Sequence, residues 1–314
     1  MDKPDILYYS CLHYTPEHLA LLDKLYTVHV LPNPRLDSTL PQEIKDKIKC
    51  IFLPHGFKFT DHTSYLFPQL IVIASNTTTP PDVDEKANIP HIQYLNDPGV
   101  LGCITSTAEH ALGLMHTVHR RIPSAAASTY EGCWDRYSWG APKMLSQMNA
   151  TIWGMGRVGS HLADITAPLF KGVAWIDKPD VSYKGEYIEE CLSQTDVLFL
   201  TMSVEGPQPV CSGTYLRLLP QDAIVINVAR GEVLDHDTLL ELLNNRKLWG
   251  AGLDVLPQDH AFSYDEVSSI WERIRAYQAD NNNLIVTPHI AGSTKDAWRI
   301  TQRYIIDRVG EVLL

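Results

Sequence analysis

Three glycines, Gly154, Gly156 and Gly159, stand at G-x-G-x-x-G spacing directly after the apolar run ATIW (150–153). In such a turn the first glycine permits a tight reversal, the second lets backbone approach a pyrophosphate, and the third lets the following helix pack closely on its strand. The helix continuing from Ser160-His161-Leu162-Ala163 would aim its unpaired N–H groups at the phosphates. Taken alone, the spacing fits a plain strand-to-helix turn equally well. Asp177 tips the balance, because it closes the next strand a little over twenty residues on. A carboxylate there accepts hydrogen bonds from an adenosine ribose and repels a 2′-phosphate, which favours NAD over NADP. Two further residues could do chemistry: Arg230 in NVARGEV and His289 in TPHIAGS, each just past the end of an apolar run. A guanidinium holds a carboxylate bidentately and keeps its charge, and an imidazole titrating near neutral pH can give and retrieve a proton. Their bland alternatives are a solvated arginine and a satisfied core histidine. His116 and His119 lie one helical turn apart with no third ligand in view, so a packing role is preferred and no metal site is expected.

The elements that must position these residues are regular. From residue 149 onward, the runs ATIW (150–153), VAWID (173–177), DVLFLTM (196–202), AIVINVA (223–229), GAGLDVL (250–256) and NLIVTPH (284–289) alternate with segments of helical period. In DHDTLLELLNNRK, Asp235 can cap a helix whose buried stripe is Leu239, Leu240, Leu242 and Leu243. Continuous apolar strands separated by helices imply a parallel sheet covered on both faces, here a doubly wound domain of six units. The first hundred residues repeat the alternation in ILYYS, TPEHLALLDKL, YTVHVL, CIFLPHG and LIVIAS, with Thr15 as a cap and Pro16 in the first turn. STAEHALGLMHTVHRR joins the two units, and Ser106 and Glu109 take the S-x-x-E spacing of a capping box. The last helix, from about Asp296 to Leu314, has no following strand and is expected to return to the first unit.

A chain of 314 residues with 45% apolar content suits two domains. Its formal net charge of −11 gives no basic footprint for nucleic acid. MDKPDILYYS has no basic segment leading into a long apolar stretch, and no run approaches the roughly 18 apolar residues that span a bilayer. A soluble, unprocessed cytoplasmic protein without membrane contact is therefore expected. Cys11, Cys50, Cys103, Cys133, Cys191 and Cys211 lie scattered, with no zinc spacing, and read as small buried thiols in a reducing compartment.

With these motifs in order, the sequence resembles the D-isomer-specific 2-hydroxyacid dehydrogenases, a family that includes formate and phosphoglycerate dehydrogenases. The resemblance is strongest across residues 99–294, in STAEHALGLM, EGCWDRY, GMGRVGSHLA, NVARGEVLDHDTLLELL, GAGLDV and TPHIAGST, and loose across 1–98. It implies an α/β architecture in which a Rossmann-type, doubly wound NAD-binding domain (99–292) is inserted into a flavodoxin-like substrate domain (1–98, completed by 293–314). It also implies an active site in the cleft between them and a homodimer whose arm begins around Trp134. The expected activity is hydride transfer between NAD and a 2-keto or D-2-hydroxy acid. A dinucleotide-sensing corepressor of the same fold is the competing class, although a sensor has no need of a proton donor.

On this resemblance, Arg230 binds the substrate carboxylate and carbonyl, and His289 is the acid/base. The family pairs that histidine with a glutamate; here the corresponding position, five residues beyond Asp254, holds Asp259. Aspartate is one methylene shorter, so Gln258, Asp265 and Glu266 stay open as alternatives. Because formate dehydrogenases use glutamine there, an acid argues for a keto acid substrate over formate. The cofactor set is Gly154, Gly156, Arg157, Val158, Gly159, Asp177, Val228, Asp254 and Gly292, with Asp254 resembling the aspartate that contacts the nicotinamide carboxamide. Cys103 stands where many relatives carry asparagine near the substrate. His55, Gly56 and Phe57, and Ser75, Asn76 and Thr77, fall where substrate-binding loops would close.

Overall fold

Continuous burial along the strands of the second half, with VLFL (197–200) and AIVIN (223–227) buried at every position, builds the two-faced sheet on which the candidate site rests. The computed structural model describes residues 3–34, 39–54, 57–75, 82–93, 97–177, 185–204, 206, 208–259 and 269–314. They divide into two compact units, residues 1–104 with 293–314 and residues 105–292.

In the first unit, β1 (Asp5–Tyr9), β2 (Thr27–Leu31), β3 (Ile48–Phe52), β5 (Val72–Ser75) and β7 (His91–Gln93) form one parallel sheet in the order β2-β1-β3-β5-β7, and β4 (Lys58–Phe59) pairs with β6 (Asp82–Val83) separately. Counted within the main sheet this is 2-1-3-4-5, the flavodoxin-like winding. α1 (Pro16–Leu25), α2 (Gln42–Lys45), α3 (Asp61–Ser64) and α4 (Pro98–Gly102) complete the unit. The C-terminal helix, Lys295–Leu313, packs back on α1, α4, β5 and β7, burying Ala297, Ile305, Ile306 and Val309. Thr15 is the N-cap of α1, but its hydroxyl bonds the His18 ring at 2.8 Å instead of a backbone N–H. Its own N–H reaches Gln302 of the C-terminal helix.

The second unit opens with α5 (Ser106–His119) and α6 (Ile122–Tyr130). The expected capping box does not form: the N-cap is Thr105, whose hydroxyl donates to Glu109, while the Ser106 hydroxyl is buried without a partner. The helix starts one residue early, so Ser106 is already inside it. Six parallel strands follow: β8 (Asn149–Trp153), β9 (Gly172–Ile176), β10 (Val197–Leu200), β11 (Ala223–Asn227), β12 (Leu248–Leu253) and β13 (Leu284–Val286). Interleaved are α7 (Arg157–Thr166), α8 (Gly185–Ser193), α9 (Gly213–Leu218), α10 (His236–Asn244) and α11 (Ser269–Asp280). The sheet order is β13-β12-β11-β10-β8-β9, with the winding reversing between β8 and β10. On β10, Val197 and Phe199 join the core under α5 and α7, while Leu198 and Leu200 join the core on the opposite face. α10 buries Leu239, Leu240, Leu242 and Leu243, each worth roughly 1.5–3 kcal/mol, and Asp235 caps it by accepting the Thr238 N–H at 3.0 Å. α5 lies across β12 at its glycines: a Cβ on Gly250 would come 2.6 Å from Val118 Cγ1, and one on Gly252 3.3 Å from Leu114 Cβ.

Of the six cysteines, only Cys50 and Cys211 are buried; Cys103 and Cys133 are exposed, and all are free thiols. The reading of small buried thiols is thus corrected for the other four, whose neighbours leave them partly or fully in solvent. No described helix is long and apolar enough to cross a membrane.

Candidate active site

The glycine turn sits at the point where the sheet's winding reverses. β8 runs into Gly154, whose φ of +105° is left to glycine on steric grounds, and whose N–H donates to the Ile176 carbonyl at 2.7 Å. That bond brings the end of β9, and with it the exposed Asp177, beside the turn. A side chain on Gly154 would meet Met202 N at 2.5 Å, and one on Gly159 would overlap the Gly154 carbonyl oxygen. Gly156 differs from both: it is exposed, it is the N-cap of α7, and a Cβ there would meet nothing within 4 Å. Two glycines therefore serve close packing, and the middle one faces open space at a helix N-terminus, as a pyrophosphate requires. Arg157 and Val158, half-buried, open the helix.

Three neighbouring strands carry the remaining groups to the same carboxyl edge. At the end of β11, the fully buried Asn227 shapes the turn: its Oδ1 accepts the Ala229 N–H at 3.0 Å and its amide donates to the Arg230 carbonyl at 2.9 Å. Val228 is buried beneath, and the Arg230 guanidinium donates from Nη1 to the Ala229 carbonyl at 2.6 Å. Beyond β12, the segment after Asp254 turns back on itself, with Asp259 N donating to Leu256 O at 3.1 Å. Beyond β13, His289 adopts φ +53°.

Asp254 fixes that histidine's backbone. It is 1% exposed and accepts Ile290 N–H on Oδ1 at 2.9 Å, Ala291 N–H on Oδ2 at 2.8 Å and the Thr287 hydroxyl at 2.6 Å, while its carbonyl takes the His289 N–H at 2.8 Å. His110 Nε2, on α5, stands 3.4 Å from Oδ1. Burial acts to raise the Asp254 carboxyl, but hydrogen bonds from His110, Thr287, Ala291 and Ile290 outweigh it and hold the group below the ordinary carboxylate range. Asp254 is thus an ionised anchor for the 287–291 segment, which ends beside the exposed Gly292.

The His289 ring meets Asp259 directly, Nδ1 to Oδ2 at 2.9 Å. Asp259 Oδ2 also receives the Leu256 N–H at 3.3 Å, so the tight turn aims the short carboxylate. Gln258 is exposed and in the left-handed region, φ +57°, with its N–H given to Glu232. Asp265 and Glu266 lie outside the described residues, as do His55, Gly56, Asn76 and Thr77; Phe57 and Ser75 are described in the first unit. Cys103 is exposed there, donating its thiol to the Gly99 carbonyl. His116 and His119 form no metal group among the described residues; His119 is buried against the Lys143 carbonyl at 3.0 Å, and that burial lowers its pKa. Sequence reasoning missed His110, Thr287, Asn227 and Glu232. All four lie within or beside the quoted motifs, but their partners are brought to them by folding.

A parallel sheet with a glycine turn at its switch point defines a dinucleotide-binding α/β protein. Residues 112–291 match the model of the D-isomer specific 2-hydroxyacid dehydrogenase NAD binding domain, and the chain belongs to that family, whose cofactor is NAD. It is 33% identical over 198 residues to D-3-phosphoglycerate dehydrogenase of Haemophilus influenzae, covering 61% of this chain and 46% of that protein. It is 27% identical over 230 residues to hydroxypyruvate reductase of Thermotoga maritima, covering 72% and 71%. The chain thus spans about half the length of the Haemophilus relative. In fold it is similar to D-lactate dehydrogenase from Aquifex aeolicus complexed with NAD and lactic acid, at TM-score 0.77 and 19% identity over 97% of this chain and 94% of that one. It is similar also to D-2-hydroxyisocaproate dehydrogenase, at TM-score 0.78 and 16% identity over 98% and 96%.

Proposed function

We propose that the protein is an NAD-dependent oxidoreductase that interconverts a 2-keto acid and its D-2-hydroxy acid. The observation that carries this reading is the 2.9 Å contact between His289 Nδ1 and Asp259, at the sheet edge that also bears Arg230. A dinucleotide sensor needs the phosphate cradle but neither a proton donor nor an acid to orient it.

Gly156 and the first N–H groups of α7 would hold the pyrophosphate, and Asp177 the adenosine ribose; the bound cofactor supplies or accepts the hydride. Arg230 binds the substrate carboxylate and polarises the carbonyl beside it. With Nδ1 committed to Asp259, His289 gives its Nε2 proton to the oxygen that becomes the hydroxyl and takes it back in oxidation. Asp259 fixes the ring and stabilises the cation formed in the reverse direction. Asp254, buried and saturated by its own chain, acts here by holding the His289 backbone in place. Residues 1–104 with 293–314 are proposed as the substrate domain. Ile122, Tyr130, Trp134, Tyr137 and Met144 are all at least half exposed within 122–144, and a second copy of the chain is proposed to cover them.

The test follows NADH absorbance against 2-keto acids of graded size and charge, for the parent and Arg230→Ala. Turnover of at least one acid, lost on substitution while NADH binding persists, is the expected result. A silent panel with intact NADH binding would favour the sensor. An active Arg230→Ala would remove the arginine's role.

A further inference from the structure

An exposed glutamate two residues from Arg230 reaches the loop that carries Asp259. Glu232 Oε1 accepts the Gln258 N–H at 2.9 Å. This is the backbone amide immediately before Asp259, and it belongs to a residue at φ +57°. A non-glycine residue stays in that region only where its surroundings hold it. Two features hold it here. Gly231 lets the two backbones meet, since a Cβ there would overlap Leu256 C and Pro257 N. Glu232 ties down the amide beyond that contact. The turn then closes through Asp259 N to Leu256 O, and Leu256 N to Asp259 Oδ2, which sets the carboxylate on His289 Nδ1. A carboxylate one methylene shorter than glutamate has less reach, so its loop must be brought closer and kept there.

We infer that Glu232 is a positioning residue: through its hydrogen bond to Gln258 N–H it holds the 256–259 turn so that Asp259 meets His289. The inference rests on the functional reading above for its kinetic consequence, but not for its structural one. Among the described residues, the ionisable groups on the segments that meet here are Arg230, Glu232, Asp254, Asp259 and His289, with His110 facing Asp254 from α5.

The experiment compares Glu232→Ala, Glu232→Gln and Asp259→Asn in the full chain, labelled with 15N-histidine. The His289 Nδ1–H signal is assigned by its loss in His289→Asn, and kcat and KM are measured with whichever keto acid the panel identifies. Glu232→Ala is expected to move the signal toward its position in Asp259→Asn and to lower kcat about tenfold, with the KM for NADH unchanged within about twofold. Glu232→Gln keeps an acceptor for the amide and should restore both signal and kcat. A parental signal and kcat in Glu232→Ala overturn the inference. So does a Glu232→Gln that behaves like the alanine variant, because the charge and not the bond would then matter. An unmoved signal in Asp259→Asn removes the contact itself. The predicted signals in a chain that reduces no keto acid would sink the dehydrogenase reading and leave the positioning role standing.

Discussion

Replacing each glycine of the turn by alanine, one at a time, separates folding from cofactor binding. At Gly154 the new Cβ sits 2.5 Å from Met202 N and 2.6 Å from Met202 Cα on a backbone of φ +105°. Both obstacles are main chain and cannot swing away. Overpacking of this kind costs roughly 1–3 kcal/mol and the left-handed alanine a further 1–3, so about 2–6 kcal/mol is expected. At about 2–4 °C per kcal/mol for a domain of this size, Tm should fall by roughly 4–24 °C. Gly159→Ala overlaps the Gly154 carbonyl and sits 3.2 Å from Thr201 Oγ1, and should lower Tm by a similar route without the φ penalty. Gly156 has φ −67°, which any residue adopts, and open space around its Cβ. Gly156→Ala should therefore keep Tm within a few degrees, a cap change alone costing at most about 1 kcal/mol. Its methyl would stand where the pyrophosphate approaches. Loss of one or more charge-assisted N–H bonds, at about 1.5–3 kcal/mol, predicts NADH binding weaker by about 10- to 100-fold. Thermal unfolding and NADH fluorescence titration read the two effects separately. A Gly156→Ala protein that binds NADH like the parent, or that loses as much stability as Gly154→Ala, would refute the division of labour.

Asp259→Asn should lower kcat for reduction, because the His289 ring loses the carboxylate that orients it; a parental kcat points to another carboxylate. Asp177→Ala should narrow the preference for NADH over NADPH, and unaltered selectivity would remove the ribose assignment. His236 is buried on α10 with Nε2 unpartnered, and burial lowers its pKa to about 4. Between pH 6.5 and 4 the unfolded chain binds a proton that the folded chain refuses, so this residue makes stability fall as pH drops through that window, by up to about 3 kcal/mol. His236→Leu should flatten the decline of Tm between those pH values; a decline as steep as the parent's would show that His236 is not its source.

Strands, their alternation with helices, the glycine turn and the polar residues just past strand ends were legible in the sequence, because each depends on local geometry. Short continuous apolar runs, a cap such as Asp235 and a G-x-G-x-x-G turn are written within a few residues of chain. β7 was missed because three residues between proline-rich loops carry no period to read. Ser106 was mistaken for the cap because Thr105 competes for the same role one step away, and only the path into the helix decides between them. The partner of His289 was a larger ambiguity: the family register favours Asp259, but Gln258, Asp265 and Glu266 stayed open beside it. The tertiary structure brought Asp259 to the ring through a turn closed on Leu256 and tied to Glu232, and locked the histidine's backbone onto Asp254. Those contacts join segments following three different strands. Their partners are distant in the chain and adjacent only because parallel strands deliver them to one edge, which no local rule of propensity or spacing can specify.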